Sequence, residues 1–266
     1  MARSTRSSST SGASGHKPAR AQVVVMAKHP SPGSVKTRLA AQLGATAACR
    51  LYTAFVGDLA ERLPIAGLPV WWAIWPPGAP FETLVPGQRC FGQLGRDLGE
   101  RLEAAMRTCL AAAPLPVIAI GADSPHLEPA CLSEAADALA GEADVVLGPA
   151  TDGGYYLIGL REPCPELFRG IAWGSSTVFD ATLVRARSAG LRVHLLAPTF
   201  DVDDVDGLAA LRALLARGAV DLPRTAAELK IPRSETSSRT GIGRRDSAPA
   251  ESASAVPRPA KPARHT

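Results

Sequence analysis

The sequence predicts an α/β protein in which a mixed, mostly parallel sheet lies between two layers of helices. Short apolar runs of strand length recur along the chain, and the clearest is "PVIAIGAD" at 116–123. Amphipathic segments of helical length lie between them, such as "RDLGERLEAAMRTCLAAA" at 96–113. Strands alternating with helices of about 10–15 residues are typical of three-layer α/β/α folds. A chain of 266 residues can form one such domain around a single core.

The elements follow from local residue chemistry. Apolar, β-branched runs predict strands at 21–27, 68–75, 88–92, 116–123, 143–150, 154–160 and 191–198. Amphipathic spacing predicts helices at 34–62, 96–113, 128–141, 175–190 and 206–217. Gly44 interrupts the first helix, and Gly141 and Gly190 are predicted to end two others. Asp97 is a candidate N-cap, as are Ser175 and Ser176.

The two ends of the chain differ from its middle. Residues 1–20 and 233–266 are rich in Ser, Ala, Pro, Gly and Arg, so we predict disordered basic tails around a domain at 21–232. Each tail carries a net charge of +4, which leaves −4 on the domain because the whole chain carries +4. The predicted domain therefore has no basic face typical of nucleic-acid binding, and no nucleic-acid partner is expected.

Several classes of protein are disfavoured by what the sequence lacks. The five cysteines form no CxxC pair, which disfavours a disulfide framework or a cysteine zinc site and predicts a reducing cytoplasmic location. The histidines have no metal-ligand spacing, so a histidine-based metal site is not expected. No apolar run is long enough for a signal peptide or a membrane span. The Arg- and Ser-rich start is shared by transit peptides, but a solvated tail is the preferred interpretation. No G-x-S-x-G nucleophile elbow occurs, which disfavours acyl transfer.

The loop "KHPSPGSVKTRL" (28–39) follows the first predicted strand and leads into a helix. A Walker loop would need a glycine immediately before Lys36 and another five residues earlier, and neither is present. What remains is an anion-binding loop in which Gly33 shapes the backbone and Lys28, Lys36 and Arg38 supply positive charge. A solvated helix start with incidental basic residues is the alternative.

Two acidic loops follow later strands. Asp123 in "GADSPHL" comes at the end of the clearest strand, where a carboxylate can bind Mg²⁺ or Mn²⁺. The segment "DVDDVDG" (201–207) follows the last strand and resembles a metal or diphosphate loop, although its glycine is one place late for an EF-hand. The alternative for both loops is helix capping, with Asp204 or Asp206 serving the last helix.

Two further loops are candidates for substrate contact. In "GPATDGGYYLIGL", Asp152 precedes Gly153 and Gly154, which would let a ligand approach the backbone closely. In "GRDLGERL", Arg96 stands beside a predicted helix start. A tight turn and a simple helix cap are the respective alternatives.

Taken in order, six motifs resemble one family: "AKHPSPGSVKTRL", "QLGRDLGERL", "GADSPHL", "GPATDGGYYLIGL", "WGSSTVFDATL" and "DVDDVDGL". Over roughly residues 21–230 the chain resembles a bacterial group of GT-A-like glycosyltransferases associated with radical-SAM enzymes and arsenosugar biosynthesis. It is distantly similar to 2-phospho-L-lactate guanylyltransferase and molybdenum cofactor guanylyltransferase. The resemblance implies a three-layer α/β/α Rossmann-like GT-A (nucleotide-diphospho-sugar transferase) fold.

The resemblance also implies roles for residues. Lys36 and Arg38 would lie near nucleotide phosphates, Asp123 would hold the divalent ion, and Asp201 and Asp203 would form a second set of metal or phosphate contacts. Asp204 stands where relatives commonly have threonine. The predicted catalytic residues are Asp123, Lys36 and Asp152. The predicted nucleotide-binding residues are Lys28, Gly33, Lys36, Arg38, Arg96, Gly153 and Gly154, and the predicted metal ligands are Asp123, Asp201 and Asp203.

Two reactions suit such a site. The preferred prediction is a glycosyltransferase that uses Mg²⁺ or Mn²⁺, a nucleotide-sugar donor and a small-molecule acceptor. The alternative is a nucleotidylyltransferase that joins an NTP to a small phosphate-bearing acceptor and releases pyrophosphate. A third possibility is a nucleotide-binding protein without turnover.

Overall fold

The computed structural model describes residues 19–231, which form a seven-stranded sheet with helices on both faces. The strands are β1 (Gln22–Lys28), β2 (Val70–Trp75), β3 (Arg89–Gly92), β4 (Val117–Gly121), β5 (Val145–Pro149), β6 (Tyr155–Leu160) and β7 (Val193–Leu195). The helices are α1 (Thr37–Leu43), α2 (Ala45–Arg62), α3 (Leu98–Ala112), α4 (Pro129–Ala140), α5 (Val178–Ser188), α6 (Val205–Ala216) and α7 (Pro223–Glu228).

The strand order is β3-β2-β1-β4-β6-β5-β7. Only β6 runs against its neighbours: it pairs antiparallel with β4 and β5, whereas the other neighbouring pairs are parallel. The carboxyl ends of β1, β4, β5 and β7 therefore meet at one edge of the sheet. In open sheets of this kind, ligands bind beyond this edge.

Alternating side chains of the central strands pack into two apolar layers, one on each face of the sheet. Val23 and Val25 of β1 face a layer that contains Phe55 of α2, whereas Val24 faces the opposite layer, which contains Met106 of α3. All five side chains are at most 2% exposed. Burial on both faces explains why the strands read as continuous apolar runs, and it confirms the predicted three-layer architecture with a mixed, mostly parallel sheet.

Most predicted elements are present. The strand predicted at 191–198 is shortened to the three residues of β7, and three helices also differ from prediction. The first helix begins at Thr37 rather than at residue 34, because Lys36 has a left-handed backbone (φ 49°) that cannot belong to a helix. The helix predicted from residue 175 begins at Val178, and the cap position is Thr177 without a side-chain cap bond. Helix α7 was not predicted. The break at Gly44 and the Asp97 cap are as predicted.

The predicted disordered tails fall almost entirely outside the described residues. Within the described part, Arg20 forms an ion pair with Asp137 of α4. Among residues 19–231, none of the helices combines the length and apolar character that crossing a bilayer requires.

Candidate active site

A cavity of about 560 Å³ opens at the carboxyl edge of the sheet. The loop after β1, the loop after β4 and the loop after β7 surround it, and the start of α3 closes another side. Six of the predicted site residues line it: Lys28, Lys36, Arg38, Asp123, Asp201 and Asp203. Residues predicted from separate loops are thus brought together in one cavity.

The loop after β1 is shaped by two positive-φ residues. Gly33 has φ 83° in a turn where the amide and hydroxyl of Ser34 both donate to the carbonyl oxygen of Ser31, at 3.0 and 2.8 Å. Lys36 then adopts φ 49° and ψ 46°, a conformation that costs a non-glycine residue free energy. Lys36 is buried, and its side chain points into the protein instead of extending into solvent.

The ammonium of Lys36 lies between two carboxylates. Its Nζ is 2.9 Å from Oδ1 of Asp203 and also forms an ion pair with Oδ1 of Asp123. The rings of Tyr52 and Phe55 lie on another side, with centroids 5.8 and 5.5 Å from Nζ. Burial alone would lower the pKa of Lys36, but the attraction of both carboxylates outweighs it and raises that pKa. Lys36 is therefore charged in the folded protein.

The phosphate contact expected for Lys36 stays a prediction, because its ammonium is here bound to two carboxylates. Its side chain is only 1% exposed, whereas those of Asp123 and Asp203 are 43% and 45% exposed. Lys28 and Arg38 are exposed, line the cavity, and have no acidic partner among residues 19–231. Their positive charges are therefore available to an anion that enters the cavity.

Hydrogen bonds join the loops after β4 and β7. The amide of Val202 donates to the carbonyl oxygen of Asp123 at 3.0 Å. The hydroxyl of Ser124 donates to the carbonyl oxygen of Phe200 at 3.0 Å and to the carboxylate of Asp201. Because both loops are tied together, the positions of Asp123 and Asp201 depend on one another.

His126 provides a further connection between the same loops. Its Nε2 lies 3.0 Å from Oγ1 of Thr199, and its ring stacks on Phe200 with centroids 4.1 Å apart. Burial and the nearby Arg62 lower the pKa of His126 to about 4, so the ring is neutral near pH 7. His126 therefore acts as a structural connection and not as a charged group at this site.

Asp201 has a carboxyl whose pKa is raised in the folded protein. Burial raises its pKa to about 6, the bond from Ser124 opposes this, and Asp123, Asp203 and Asp152 add further repulsion. The folded state thus binds a proton more readily than the unfolded state between pH 4 and 6. Stability contributed by this group must fall as pH rises through that range, and then level off.

Replacing Asp201 with asparagine is expected to remove this pH dependence. Asparagine can still accept the Ser124 bond, and it carries no charge to bury. The rise of the pKa from 3.8 to about 6 corresponds to up to about 3 kcal/mol of lost stability at pH 7. Urea unfolding at pH 4.5 and pH 7 should show a smaller pH effect in Asp201→Asn than in wild type. The exposed-site control Asp206→Asn should keep the wild-type difference, and an equal pH effect in both variants would contradict this origin.

Sequence reasoning missed a group at the β2–β3 end of the cavity. Arg101 lines the cavity, and its guanidinium carbon lies 3.6 Å from the centre of the Trp75 ring. Gln93 also lines the cavity, and its Nε2 donates to the carbonyl oxygens of Ala27 and Ala73 at 3.1 and 2.8 Å. These bonds fix the amide and leave its Oε1 as an acceptor without a partner among residues 19–231.

Arg96, the arginine predicted from this motif, lies elsewhere. Its side chain is 91% exposed, pairs with Glu100, and is not among the residues that line the cavity. A helical-spacing signal could have identified Arg101 instead, because Leu98, Arg101 and Leu102 stand at i, i+3 and i+4 and all face the cavity.

The turn between β5 and β6 holds the remaining predicted residues. The carboxylate of Asp152 accepts from the amide of Gly154 at 2.9 Å, and Asp152 is exposed. Gly153 has φ 90°, and a Cβ there would lie 2.0 Å from the carbonyl oxygen of Ser176. The space beside Gly153 is thus filled by the loop before α5, so close backbone packing explains this glycine without a ligand.

The three predicted metal ligands do not converge on one point. Asp123 and Asp203 converge on Lys36, whereas Asp201 is bonded to Ser124. In the described part of the chain, no group of three or more Asp, Glu, His or Cys side chains is arranged to hold a metal ion. A pair of half-exposed carboxylates that shares one cation still fits Mg²⁺, which proteins often hold by one or two carboxylates together with substrate phosphates.

Comparisons with known proteins agree with this architecture. The family model described as "Uncharacterized protein conserved in bacteria (DUF2064)" matches residues 61–175. A solved structure from Desulfovibrio desulfuricans G20, provisionally named a nucleotide-diphospho-sugar transferase, is 32% identical with a TM-score of 0.74, and the match covers 80% of this chain and 95% of that one. No curated protein sequence gives a significant match.

A more distant solved structure shares the fold alone. A nucleotidyl transferase from Methanothermobacter thermautotrophicus is 15% identical with a TM-score of 0.50, and the match covers 74% of this chain and 99% of that one. These findings confirm the GT-A-like resemblance and the predicted fold class. The chain belongs to the nucleotide-diphospho-sugar transferase superfamily, and its residues 61–175 match the bacterial DUF2064 family model.

Proposed function

We propose that this protein is a divalent-cation-dependent transferase that takes a nucleotide-diphosphate sugar as donor and a small molecule as acceptor. The observation that carries the proposal is the charge arrangement of one cavity at the carboxyl edge of the sheet. Lys28 and Arg38, which have no acidic partner within residues 19–231, line it together with the half-exposed carboxylates of Asp123 and Asp203. A diphosphate with its metal ion needs both kinds of group within one small volume.

The donor would extend along the sheet edge. Its phosphates would meet Lys28 and Arg38, near the centre of the sheet. The nucleoside would point toward the β2–β3 end, where Gln93 offers an oriented acceptor oxygen and Arg101 offers a guanidinium already stacked on Trp75. Asp123 and Asp203 would hold the divalent ion beside the diphosphate, and the ion would stabilise the charge that develops on the leaving group.

The acceptor would enter near the turn between β5 and β6. Asp152 is exposed on this turn and lies close enough to Asp201 to influence its pKa. Asp152 is therefore the candidate to take the proton from the acceptor hydroxyl. Asp201 would act through its bond to Ser124, by positioning the loop that carries Asp203.

Nucleotidyl transfer is the second candidate, and the positive charges of Lys28 and Arg38 in the cavity favour it. Lys28 and Arg38 could spread the charge of a pyrophosphate leaving group, as that reaction requires. The 32% identical neighbour, provisionally named a nucleotide-diphospho-sugar transferase, supports glycosyl transfer instead. A nucleotide-binding protein without turnover is the third candidate.

The products distinguish these functions. We expect a thermal-shift panel of NTPs and nucleotide sugars with Mg²⁺ or Mn²⁺ to identify donors, because a ligand that binds the native state raises its melting temperature. Glycosyl transfer should then release a nucleoside diphosphate from the nucleotide sugar, and chelation of the metal should stop it. Pyrophosphate release from an NTP would favour the second candidate. Tight nucleotide binding with no product would favour the third, and absence of any nucleotide effect would contradict all three.

A further inference from the structure

We propose that Lys36 is the resident cation of the Asp123–Asp203 pair and competes with divalent metal for it, so that metal binds well only together with the donor. This inference deepens the proposed function, on which its donor-linked part rests. It begins from a shared position: both Oδ1 atoms approach the same Nζ, and that ammonium lies where the two carboxylates converge.

The protein is built to keep this ammonium in place. Lysine side chains usually keep the charged end in water, but that of Lys36 is 1% exposed. The left-handed backbone at Lys36 and the rings of Tyr52 and Phe55 complete the enclosure. A charge buried to this degree needs partners, and Asp123 and Asp203 are the only anionic ones that it has among residues 19–231.

The net charge of the two carboxylates and Lys36 disfavours the binding of a metal ion without the donor. Two carboxylates and one ammonium leave a single net negative charge, which is a weak attraction for a divalent ion. An ion bound to the same carboxylates would also lie within a few ångströms of the ammonium and would be repelled by it. Lys36 must therefore leave the pair, or share it at an electrostatic cost, whenever a divalent ion binds there.

A donor diphosphate changes this balance. It brings negative charge to the cavity that Lys28, Arg38 and Lys36 line together. Its oxygens can accept hydrogen bonds from the Lys36 ammonium in place of the carboxylates, and they also complete the ligand shell of the metal. Donor and metal should consequently strengthen each other's binding, and this coupling must be reciprocal.

Binding of Mn²⁺ alone tests the competition directly. Titration followed by electron paramagnetic resonance of free Mn²⁺ should show weak binding to the wild-type protein. Lys36→Met retains the apolar stem without the charge and should bind Mn²⁺ at least tenfold more tightly. Lys230→Met is the matched control, because Lys230 is also a lysine with positive φ (55°) but is exposed and does not line the cavity. Its Mn²⁺ affinity should equal that of wild type.

A second variant covers the case in which Lys36→Met does not fold. Lys36→Asn is neutral and suits a left-handed backbone, so it should show the same gain while keeping the circular dichroism of wild type. Adding Asp123→Asn to either variant should abolish the gain if the ion binds at this pair. Unchanged or weaker Mn²⁺ binding in every folded Lys36 variant would overturn the competition.

The donor-linked part is tested on the wild-type protein. Mn²⁺ affinity should rise at least tenfold when ADP, GDP, CDP or UDP saturates the site, and the rise should be smaller in Lys36→Met. If no nucleoside diphosphate binds but Lys36→Met still gains Mn²⁺ affinity, the proposed function fails while the competition stands. If nucleotide and Mn²⁺ bind wild type independently, the donor-linked part is overturned while the proposed function can stand.

Discussion

Replacement of Asp123 with asparagine is expected to abolish metal-dependent nucleotide binding and to reduce turnover by about 10³-fold. Asp123 lies in the loop directly after β4, faces the cavity with 43% of its side chain exposed, and is one of the two carboxylates among residues 19–231 that converge on Lys36. Asparagine keeps one oxygen of similar shape but loses the negative charge that a divalent ion requires. Isothermal titration with a nucleoside diphosphate, with and without Mg²⁺, measures the effect.

The Asp123→Asn variant should still fold. Lys36 keeps Asp203 as a charged partner at 2.9 Å, and the asparagine oxygen can continue to accept from Nζ. The expected loss of stability is about 1–2 kcal/mol, the cost of weakening one charge-assisted hydrogen bond. Asp180→Asn removes a carboxylate that is exposed at the start of α5, outside the cavity lining, and is the control. If nucleotide affinity depends equally on Mg²⁺ in both variants, the assignment of Asp123 as a metal ligand is contradicted.

The sequence predicts the fold because its signals are local and repeated. A buried parallel strand such as β4 needs apolar residues on both faces, so its pattern is visible without any partner. The position of Asp123 at the end of that strand, and of Asp201 and Asp203 after β7, then places these carboxylates at the same edge. Convergence of the acidic loops therefore follows from topology alone.

The contacts inside the site depend on features that leave no local signal. The left-handed backbone of Lys36 directs its ammonium toward carboxylates 87 and 167 residues away, and a lysine in such a loop is otherwise expected to be solvated. Helix α7 has a comparable origin: it has only six residues, and its first amides donate to the carboxylate of Asp58 in α2. Short helices of this kind form because of tertiary contacts, which propensity does not reveal.

Replacement of Gly153 with alanine is expected to cost about 2–5 kcal/mol of stability, combining left-handed strain with steric overlap. With φ 90° at this residue, an added Cβ would lie 2.0 Å from the carbonyl oxygen of Ser176. That oxygen belongs to the loop before α5, and the amide of Phe179 in the first turn of α5 donates to the carbonyl oxygen of Gly153 at 2.9 Å. The loop cannot move away without disturbing this bond.

A substitution at Gly190 distinguishes the strain of the left-handed backbone from the steric overlap. Gly190 also has a positive φ (73°), but an added Cβ would meet nothing within 4 Å. Gly190→Ala should therefore cost only the strain of the left-handed backbone, about 1–2 kcal/mol. Urea unfolding of both variants measures the difference, which we expect to be about 2 kcal/mol from overlap alone. Equal losses would mean that the loop before α5 yields readily.

The Gly153→Ala substitution also tests the proposed role of Asp152 as the group that takes the proton from the acceptor. Any shift of the turn between β5 and β6 moves the Asp152 carboxylate, because its bond to the amide of Gly154 ties it to this backbone. At a temperature where Gly153→Ala remains folded, turnover should fall while binding of the nucleotide at the distant Gln93 and Arg101 end is retained. Loss of nucleotide affinity in parallel with turnover would instead assign this turn to donor binding, as the glycines first suggested.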